Sequence, residues 1–271
     1  MSQRLEAFTL FSSSKGNSAL FRYGQECVLI DAGVSARALN ASLQALGTSL
    51  YEIRAIFVTH EHSDHIKGLE TISKAFSIPI YAPYLCCRAI RAKCPSAAGL
   101  LCSLDGPIEL GPFLMQPFPT PHDAEDSVCY RVEAGTAAVG YATDIGHLTA
   151  EIGRCILGCD AVVLESNHDI DMLKNGAYPL PLKKRILGAY GHLSNRSCAA
   201  ALPRLVESGV AVIPKSSRKE RMAENFEVFD FVLDAEDLDA IRALDQGESL
   251  FFSHYDPEFV ESMADFGHRV L

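Results

Sequence analysis

Three histidines and an aspartate fall within six residues at His60-Glu-His-Ser-Asp-His65. Neutral imidazole nitrogen and carboxylate oxygen are ligands for zinc and similar divalent ions. His60 and His62 stand two residues apart, so on an extended chain they point to one side. Asp64 and His65 come at a turn and point elsewhere. One short loop with this spacing can address two metal ions from opposite sides.

The neighbouring residues say what holds that loop. The apolar run Ile53–Val58 reads as a buried strand ending at Thr59, and Ile66, Leu69, Ile72 and Phe76 recur at helical spacing. The ligand-type residues therefore sit in a strand-to-helix loop. Further strands are predicted around Phe8–Leu10, Ala19–Arg22, Cys27–Ile30, Ala55–Val58, Ile80–Ala82, Ser127–Glu133, Ala137–Tyr141 and Ala161–Glu165. Helices are predicted over Arg37–Ala45, His65–Phe76, Ala150–Cys159, Leu182–Ala189 and Asn195–Glu207. After Pro119 and Pro121 the backbone at Phe118–Ala124 is expected to leave regular structure and present His122. Bunched strands with interspersed helices suit an α/β protein with two sheets sandwiched between helices.

The H-x-H-x-D-H loop, the strand ending in Asp31-Ala-Gly33, the TPHDA segment around His122 and the YATDIG segment around Asp144 resemble, in this order, the metallo-β-lactamase fold. With FSSSKGNS, ESNHD and GHLSN added, the pattern looks like the YycJ or WalJ type of bacterial hydrolase over residues 5–208, a branch associated with DNA exonuclease activity. The resemblance implies an αββα sandwich and two divalent metals, zinc or manganese. His60, His62 and His122 would serve the first. Asp64, His65 and Asp144 would serve the second, with Asp144 shared and Asp64 also orienting the attacking hydroxide as the catalytic residue. Histidine at position 62, where related di-iron proteins are acidic, favours hydrolysis over redox work. Asn17, Asn167, His168 and His192 become candidates for substrate contact. For Asn17 a simple hairpin turn, for Asn167 and His168 a capping cluster, and for His192 a structural role ahead of a helix capped by Ser194 or Asn195 are the competing readings. His147 is expected beside Asp144 without binding metal.

The resemblance then stops. Relatives of this branch continue with a further strand and a second HLS-x-x-N-type motif whose histidine completes the second metal site. Here the chain after Gly209 instead reads VAVIPKSSRKERMAENFE, which looks like the C-terminal end of an aldo-keto reductase. Lys215, Ser216, Arg221 and Asn225 match the motif that covers the 2′-phosphate of NADP in that family. Nothing before it resembles the reductase catalytic residues, so they are read as vestigial and no nicotinamide cofactor is expected. Residues 209–271 are thus read as a foreign segment replacing the last strand and motif, with residues 1–208 as a C-terminally incomplete hydrolase domain. Composition agrees: residues 212–271 carry 14 acidic and 6 basic side chains, net −8, against net −2 (20 acidic, 18 basic) before them. On this reading the second metal site keeps only Asp64, His65 and Asp144, unless His254 or His268 folds back onto it.

At 271 residues and 48% hydrophobic the chain can bury a sizeable core. It has no 18-residue apolar run and no basic, apolar leader, so no membrane span or signal peptide is expected and a cytoplasmic location is. Nine cysteines without a C-x-x-C pair read as reduced thiols rather than a second zinc site. A formal charge of −10 argues against general nucleic-acid attraction, but most of it lies in the tail. A local groove at Lys183-Lys184-Arg185 stays open, against the reading of an exposed helix start.

The function expected is a metal-dependent phosphodiesterase or DNA exonuclease using a metal-activated hydroxide, with DNA as partner. A thioester or lactone hydrolase of the same fold, and an inactive chimera, are the alternatives.

Overall fold

The computed structural model describes residues 4–210. The chain divides into two units, Met1–Val212 and Ile213–Leu271, and the fold below is that of the first. Lys215, Ser216, Arg221, Asn225, His254 and His268 lie outside the described residues, as does nearly all of the segment 209–271.

In chain order the elements are β1 (Leu5–Ser13), β2 (Gly16–Tyr23), β3 (Glu26–Ile30), α1 (Ala36–Ala45), β4 (Ile53–Phe57), α2 (Ser63–Ile66), α3 (Leu69–Ala75), β5 (Ile80–Ala82), α4 (Tyr84–Lys93), β6 (Leu101–Ser103), β7 (Ile108–Leu110), β8 (Phe113–Pro119), β9 (Val128–Ala134), β10 (Ala137–Ala142), α5 (Ala150–Ile156), β11 (Ala161–Leu164), α6 (Ile170–Asn175), α7 (Leu180–Leu187) and α8 (Asn195–Glu207). The strands form a six-stranded sheet, β1-β2-β3-β4-β5-β6, and a five-stranded sheet, β11-β10-β9-β8-β7. Side-chain alternation explains why the sheets stack. Along β3, Val28 and Ile30 face a core shared with Phe57, Met115, Tyr130, Val132 and Tyr141 of both sheets. Cys27 and Leu29 face the opposite way, into a layer with Leu39, Leu43, Leu69, Ile72 and Ile90 from α1, α3 and α4. A third layer packs Ile152, Cys155 and Leu205 of α5 and α8 against the outside of the second sheet. Strands covered on both faces read as unbroken apolar runs, as CVLI does. The architecture is the expected αββα sandwich.

Several helices begin at side-chain caps. Ser35, Thr149, Asp169 and Ser194 each accept from the backbone N–H three residues on. The structure adds β6, β7, β8, α4 and α6 to the elements the sequence predicts, and corrects two segments. The expected helix His65–Phe76 is broken between Ile66 and Leu69. At the break the Gly68 N–H donates to the Ala32 carbonyl at 2.8 Å, and a Cβ there would strike the Ala32 and Val34 carbonyls. β8 runs on through both Pro117 and Pro119, paired with Tyr130 and Val128 of β9. Pairing with β7 ends at Met115, so the prolines remove no hydrogen bond on that side.

β3 and β4 are parallel, as are β10 and β11, and β8 runs with β10 because both are antiparallel to β9. The loops carrying Asp31, His60–His65, His122, Asp144 and Glu165 all leave C-terminal strand ends, where ligand sites of α/β sheets form. Gly33 marks how closely they meet: a Cβ on it would overlap the Asp64 carbonyl and crowd the Asn17 N–H. Gly33→Ala is expected to cost about 1–3 kcal/mol, the usual range for overpacking, and to loosen the His60–His65 loop. Denaturant unfolding of the full chain checks this; an unchanged midpoint would contradict the close approach.

Candidate metal centre

The loop after β4 is fastened from below by one buried carboxylate. Asp31 accepts from the Thr59 N–H at 2.8 Å, from the Thr59 hydroxyl at 2.9 Å and from His65 Nδ1 at 2.7 Å. Asp31 itself has φ 61° and Asp144 has φ 54°, the only non-glycine residues in the left-handed region among those described. Asp tolerates that region better than most residues, and strained backbone concentrates at functional sites. In both places the strand has just ended and the turn aims a carboxylate.

Five imidazoles gather above this support. Ring centroids lie 4.5 Å apart for His60–His62, 4.1 Å for His60–His65, 4.9 Å for His60–His122 and 5.1 Å for both His62–His122 and His122–His192. Three groups place potential ligand atoms within 4.8 Å of one another: His60, His62 and His122; His60, His65 and Asp144; His122, Asp144 and His192.

The hydrogen bonds decide which nitrogen each ring has to offer. His65 gives Nδ1 to Asp31, His122 gives Nδ1 to the Gly191 carbonyl at 3.0 Å, and His60 sets Nδ1 3.0 Å from the Thr59 hydroxyl. Acceptors at Nδ1 leave Nε2 with its lone pair, the arrangement that metal-bound histidines adopt. His62 is reversed, with Nε2 3.1 Å from the Asp123 carbonyl, which leaves Nδ1. His60 Nε2 and His122 Nε2 are buried and make no hydrogen bond among the described residues, though Asp123 Oδ1 stands 3.3 Å from His122 Nε2. Buried polar atoms are nearly always satisfied, so His60 Nε2, unpartnered inside a cluster of imidazoles and carboxylates, fits a divalent cation.

The protonation preferences follow from the same packing. Burial, reinforced by the charge of His65, holds His60 well below the ordinary histidine range, and burial also lowers His122. Burial opposes charge on His65 too, but the carboxylates of Asp31 and Asp144 lift it well above that range. Burial would raise the Asp144 carboxyl, yet hydrogen bonds from His192 and His65 hold it well below the usual carboxylate value. Against its own desolvation, His192 is pushed up to about 10 by Asp144 and Glu165.

Residues 26–213 match the family model of the beta-lactamase superfamily domain. Exodeoxyribonuclease YycJ of Bacillus anthracis is 32% identical over 200 residues, covering 73% of this chain and 76% of that one. The chain belongs to the metallo-β-lactamase superfamily. Exodeoxyribonuclease WalJ of Streptococcus pneumoniae is 30% identical over 200 residues, with 72% and 74% covered. Among solved structures the fold is similar to YhfI of Bacillus subtilis (TM-score 0.55, 16% identity, 82% and 91% covered). It is also similar to zinc-bound PqqB of Methylobacterium extorquens (0.52, 20%, 66% and 68%) and to a diphosphatase of the PhnP family (0.52, 20%, 72% and 72%). A 45-residue stretch, 17% of this chain, is 53% identical to methylglyoxal reductase DkgA of Escherichia coli and covers 16% of it. The chain is a metallo-β-lactamase-fold hydrolase that binds divalent metal, and no helix among the described residues is long and apolar enough to cross a membrane.

Within this superfamily site the structure places the sequence candidates unevenly. His60, His62, His65, His122 and Asp144 converge. Asp64 borders them, 3.7 Å from His65 Nε2, but joins none of the three groups. Asn17 sits beside the β1–β2 turn and points its amide at Asp64 and His65, each at 3.1 Å, so it braces the loop as well as lining the opening. Asn167 is exposed and donates to Glu165 at 3.2 Å, while His168 pairs through its backbone with Ser194. Asp169 caps α6, as the capping reading has it. His147 bonds the Ala189 carbonyl at 3.0 Å and stays outside the groups. In the basic triplet, Arg185 is tied to Asp123 and Lys183 to the Lys174 carbonyl at 2.7 Å.

Two supporting residues carry no role in the sequence reading. Asp31 is visible there only as a strand-ending acid, and its bonds to Thr59 and His65 need the parallel pairing of β3 with β4. Glu165 lies in the ESNHD segment, where its neighbours His168 and Asn167 draw attention first. Asp31→Ala strands the Thr59 N–H, the Thr59 hydroxyl and His65 Nδ1. The expected result is a loss of about 3–5 kcal/mol in stability, the scale for breaking a buried charged pair, with metal affinity lower by roughly 10–100-fold. Equilibrium unfolding and zinc titration measure the two effects, and full retention of both would refute the bracing role.

Proposed function

We propose that this hydrolase is a phosphodiesterase that removes nucleotides from DNA ends. The observation that carries the reading is Asp144, which is shared between two of the three ligand groups while His60, His62 and His122 form the third. That is the donor set two neighbouring cations need. His60, His62 and His122 would hold the first ion and His65 and Asp144 the second, with Asp144 the group that both sites could use. Divalent cations bound there would supply Lewis acidity and lower the pKa of water between them, stabilising both the entering and the leaving oxygen of a phosphodiester. Zinc suits the histidine-rich set, and manganese remains an alternative for activity.

The chain's own groups supply orientation and proton handling. Asp64 is steadied by the Asn17 amide and stands at the edge of the cluster, where its free oxygen can accept the proton of an attacking water. Asn167 and His168 sit on the loop after β11, which shares the backbone bond from Asn167 N–H to the Leu193 carbonyl with the His192 segment. They are assigned to phosphate contact. Tyr178 and Tyr190 are exposed on either side of α7 in the chain and offer faces for stacking unpaired bases. Similarity to YycJ and WalJ supports DNA as the substrate.

The segment 209–271 is read as an aldo-keto-reductase-like appendage that contributes no group to this site. Lys215, Ser216, Arg221 and Asn225 match only the 2′-phosphate motif, and nothing in the preceding sequence resembles the reductase catalytic residues. Micromolar NADP binding would need about −8 kcal/mol.

His60→Ala removes one of three protein ligands at the first site and is expected to abolish both zinc retention and release of nucleotides from linear duplex DNA. Lys215→Ala and Arg221→Ala should leave nuclease activity unchanged, and the wild type should show no micromolar NADP binding by calorimetry. Unaltered zinc content in His60→Ala would sink the assignment, and tight NADP binding would overturn the reading of the tail.

A further inference from the structure

We infer that His192, held by Glu165, is itself a metal ligand and takes the place in the second site that the missing last-motif histidine leaves open. The inference rests on the metal-binding reading of the cluster and extends it to a residue that the sequence casts as structural or as a substrate contact.

Position is the first ground. His192 forms a group with His122 and Asp144 whose potential ligand atoms lie within 4.8 Å of one another. Asp144 belongs also to the group with His60 and His65. His65 Nε2 lies 3.1 Å from its Oδ2 and His192 Nδ1 3.3 Å from its Oδ1, so the two histidines meet opposite oxygens of the shared carboxylate.

The second ground is how its ring is held. Nδ1 of His192 lies 2.8 Å from Glu165 Oε1 and 3.3 Å from Asp144 Oδ1. A carboxylate at Nδ1 leaves Nε2 to offer its lone pair, and carboxylate–histidine–metal arrays are built this way. Asp31 does the same for His65. A histidine that served only to cap or fill space would not need a buried glutamate of its own. The Glu165 side chain is 8% exposed, and burying it costs energy that its hydrogen bonds must offset.

Glu165 also ties the two ligand loops to each other. Its Oε2 accepts from the Ile145 N–H at 2.8 Å, next to Asp144, and from the Leu193 N–H at 3.2 Å, next to His192. One carboxylate therefore sets the positions of two candidate ligands, and it does so from the rigid end of β11. The His192 segment is further laced to that strand end by Asn167 N–H to the Leu193 carbonyl and Asn195 N–H to the His168 carbonyl, both at 2.9 Å. Gly191, just before His192, sits where a Cβ would strike the Ile186 carbonyl, and its own carbonyl orients His122. The ring is thus preorganised by backbone and carboxylate, which is what a ligand position requires. The C-terminal sequence has no HLS-x-x-N motif to fill the same position.

The test uses the full chain, stripped with chelator and titrated with zinc alone, with stoichiometry read by elemental analysis and affinity by competition. The wild type should hold two ions. His192→Ala should hold one, with its unfolding midpoint retained, and Glu165→Gln, which removes charge but keeps the shape, should weaken the second ion by roughly 10–100-fold. His147→Ala should keep both. His192→Cys, which substitutes another zinc ligand, should keep two ions and, loaded with cobalt(II), show a thiolate-to-cobalt absorption band absent from the wild type. Two ions of unchanged affinity in His192→Ala, or loss of one in His254→Ala or His268→Ala instead, would overturn this inference while leaving the metal-binding reading in place. A wild type that takes up no zinc would overturn both.

Discussion

A carboxylate with no solvent exposure holds three donors from the loop that follows the neighbouring strand, and the site is built upward from there. Asp31 ends β3, takes the left-handed backbone conformation and turns its two oxygens under Thr59 and His65. Burying such a group costs several kcal/mol unless its partners satisfy it. The partners are all supplied by Thr59 and His65 at the two ends of the loop, so the loop cannot move without leaving the carboxylate unsatisfied. The fold thereby converts a desolvation cost into a fixed orientation for His65, and through Thr59 for His60.

The same device recurs on the second sheet. Glu165 ends β11 as Asp31 ends β3, and it fastens Ile145 and Leu193 as Asp31 fastens Thr59. Each sheet thus contributes one supporting acid at a C-terminal strand end, and the ligand-type residues lie between the two. Close packing makes this workable. Gly33 and Gly146 stand where any side chain would strike a facing carbonyl, of Asp64 and Ala189 respectively, so loops from distant parts of the chain meet at backbone distance. Stacking of the sheets, through Phe57, Tyr130 and Tyr141, sets that distance, and the Tyr130 hydroxyl bonds the Val58 carbonyl at 2.7 Å directly under the loop.

An acidic tail and a near-neutral hydrolase unit also bear on substrate. Of the basic triplet in α7, Arg185 is committed to Asp123 and so to the carbonyl that orients His62. That pairing makes α7 part of the wall of the site as much as a surface for phosphates. If DNA is the substrate as proposed, this surface offers few uncommitted basic groups for counterion release, which scales with the number of phosphates neutralised.

The sequence alone determined the αββα class, most of the strands and helices, and the five converging residues His60, His62, His65, His122 and Asp144. The elements were legible because apolar periodicity reports which faces are buried, and His60, His62 and His65 because metal-ligating types at short spacing are rare by chance; His122 and Asp144 were legible only through the resemblance of their segments to the family's motifs. It left β6, β7, α4, α6 and the proline-bearing β8 unread; the three residues of β6 and of β7 lack the unbroken apolar, strand-favouring run that marks β5, and a proline is permitted wherever one edge goes unpaired. Only the tertiary structure placed Asp31 under His65 and Glu165 beside His192 and Ile145. Asp31 and Glu165 each lie at least 20 residues in sequence from the residues they hold, and no local pattern records such a contact. Their meeting depends on strand pairing and on two sheets stacking at close range, which spacing along a chain does not encode.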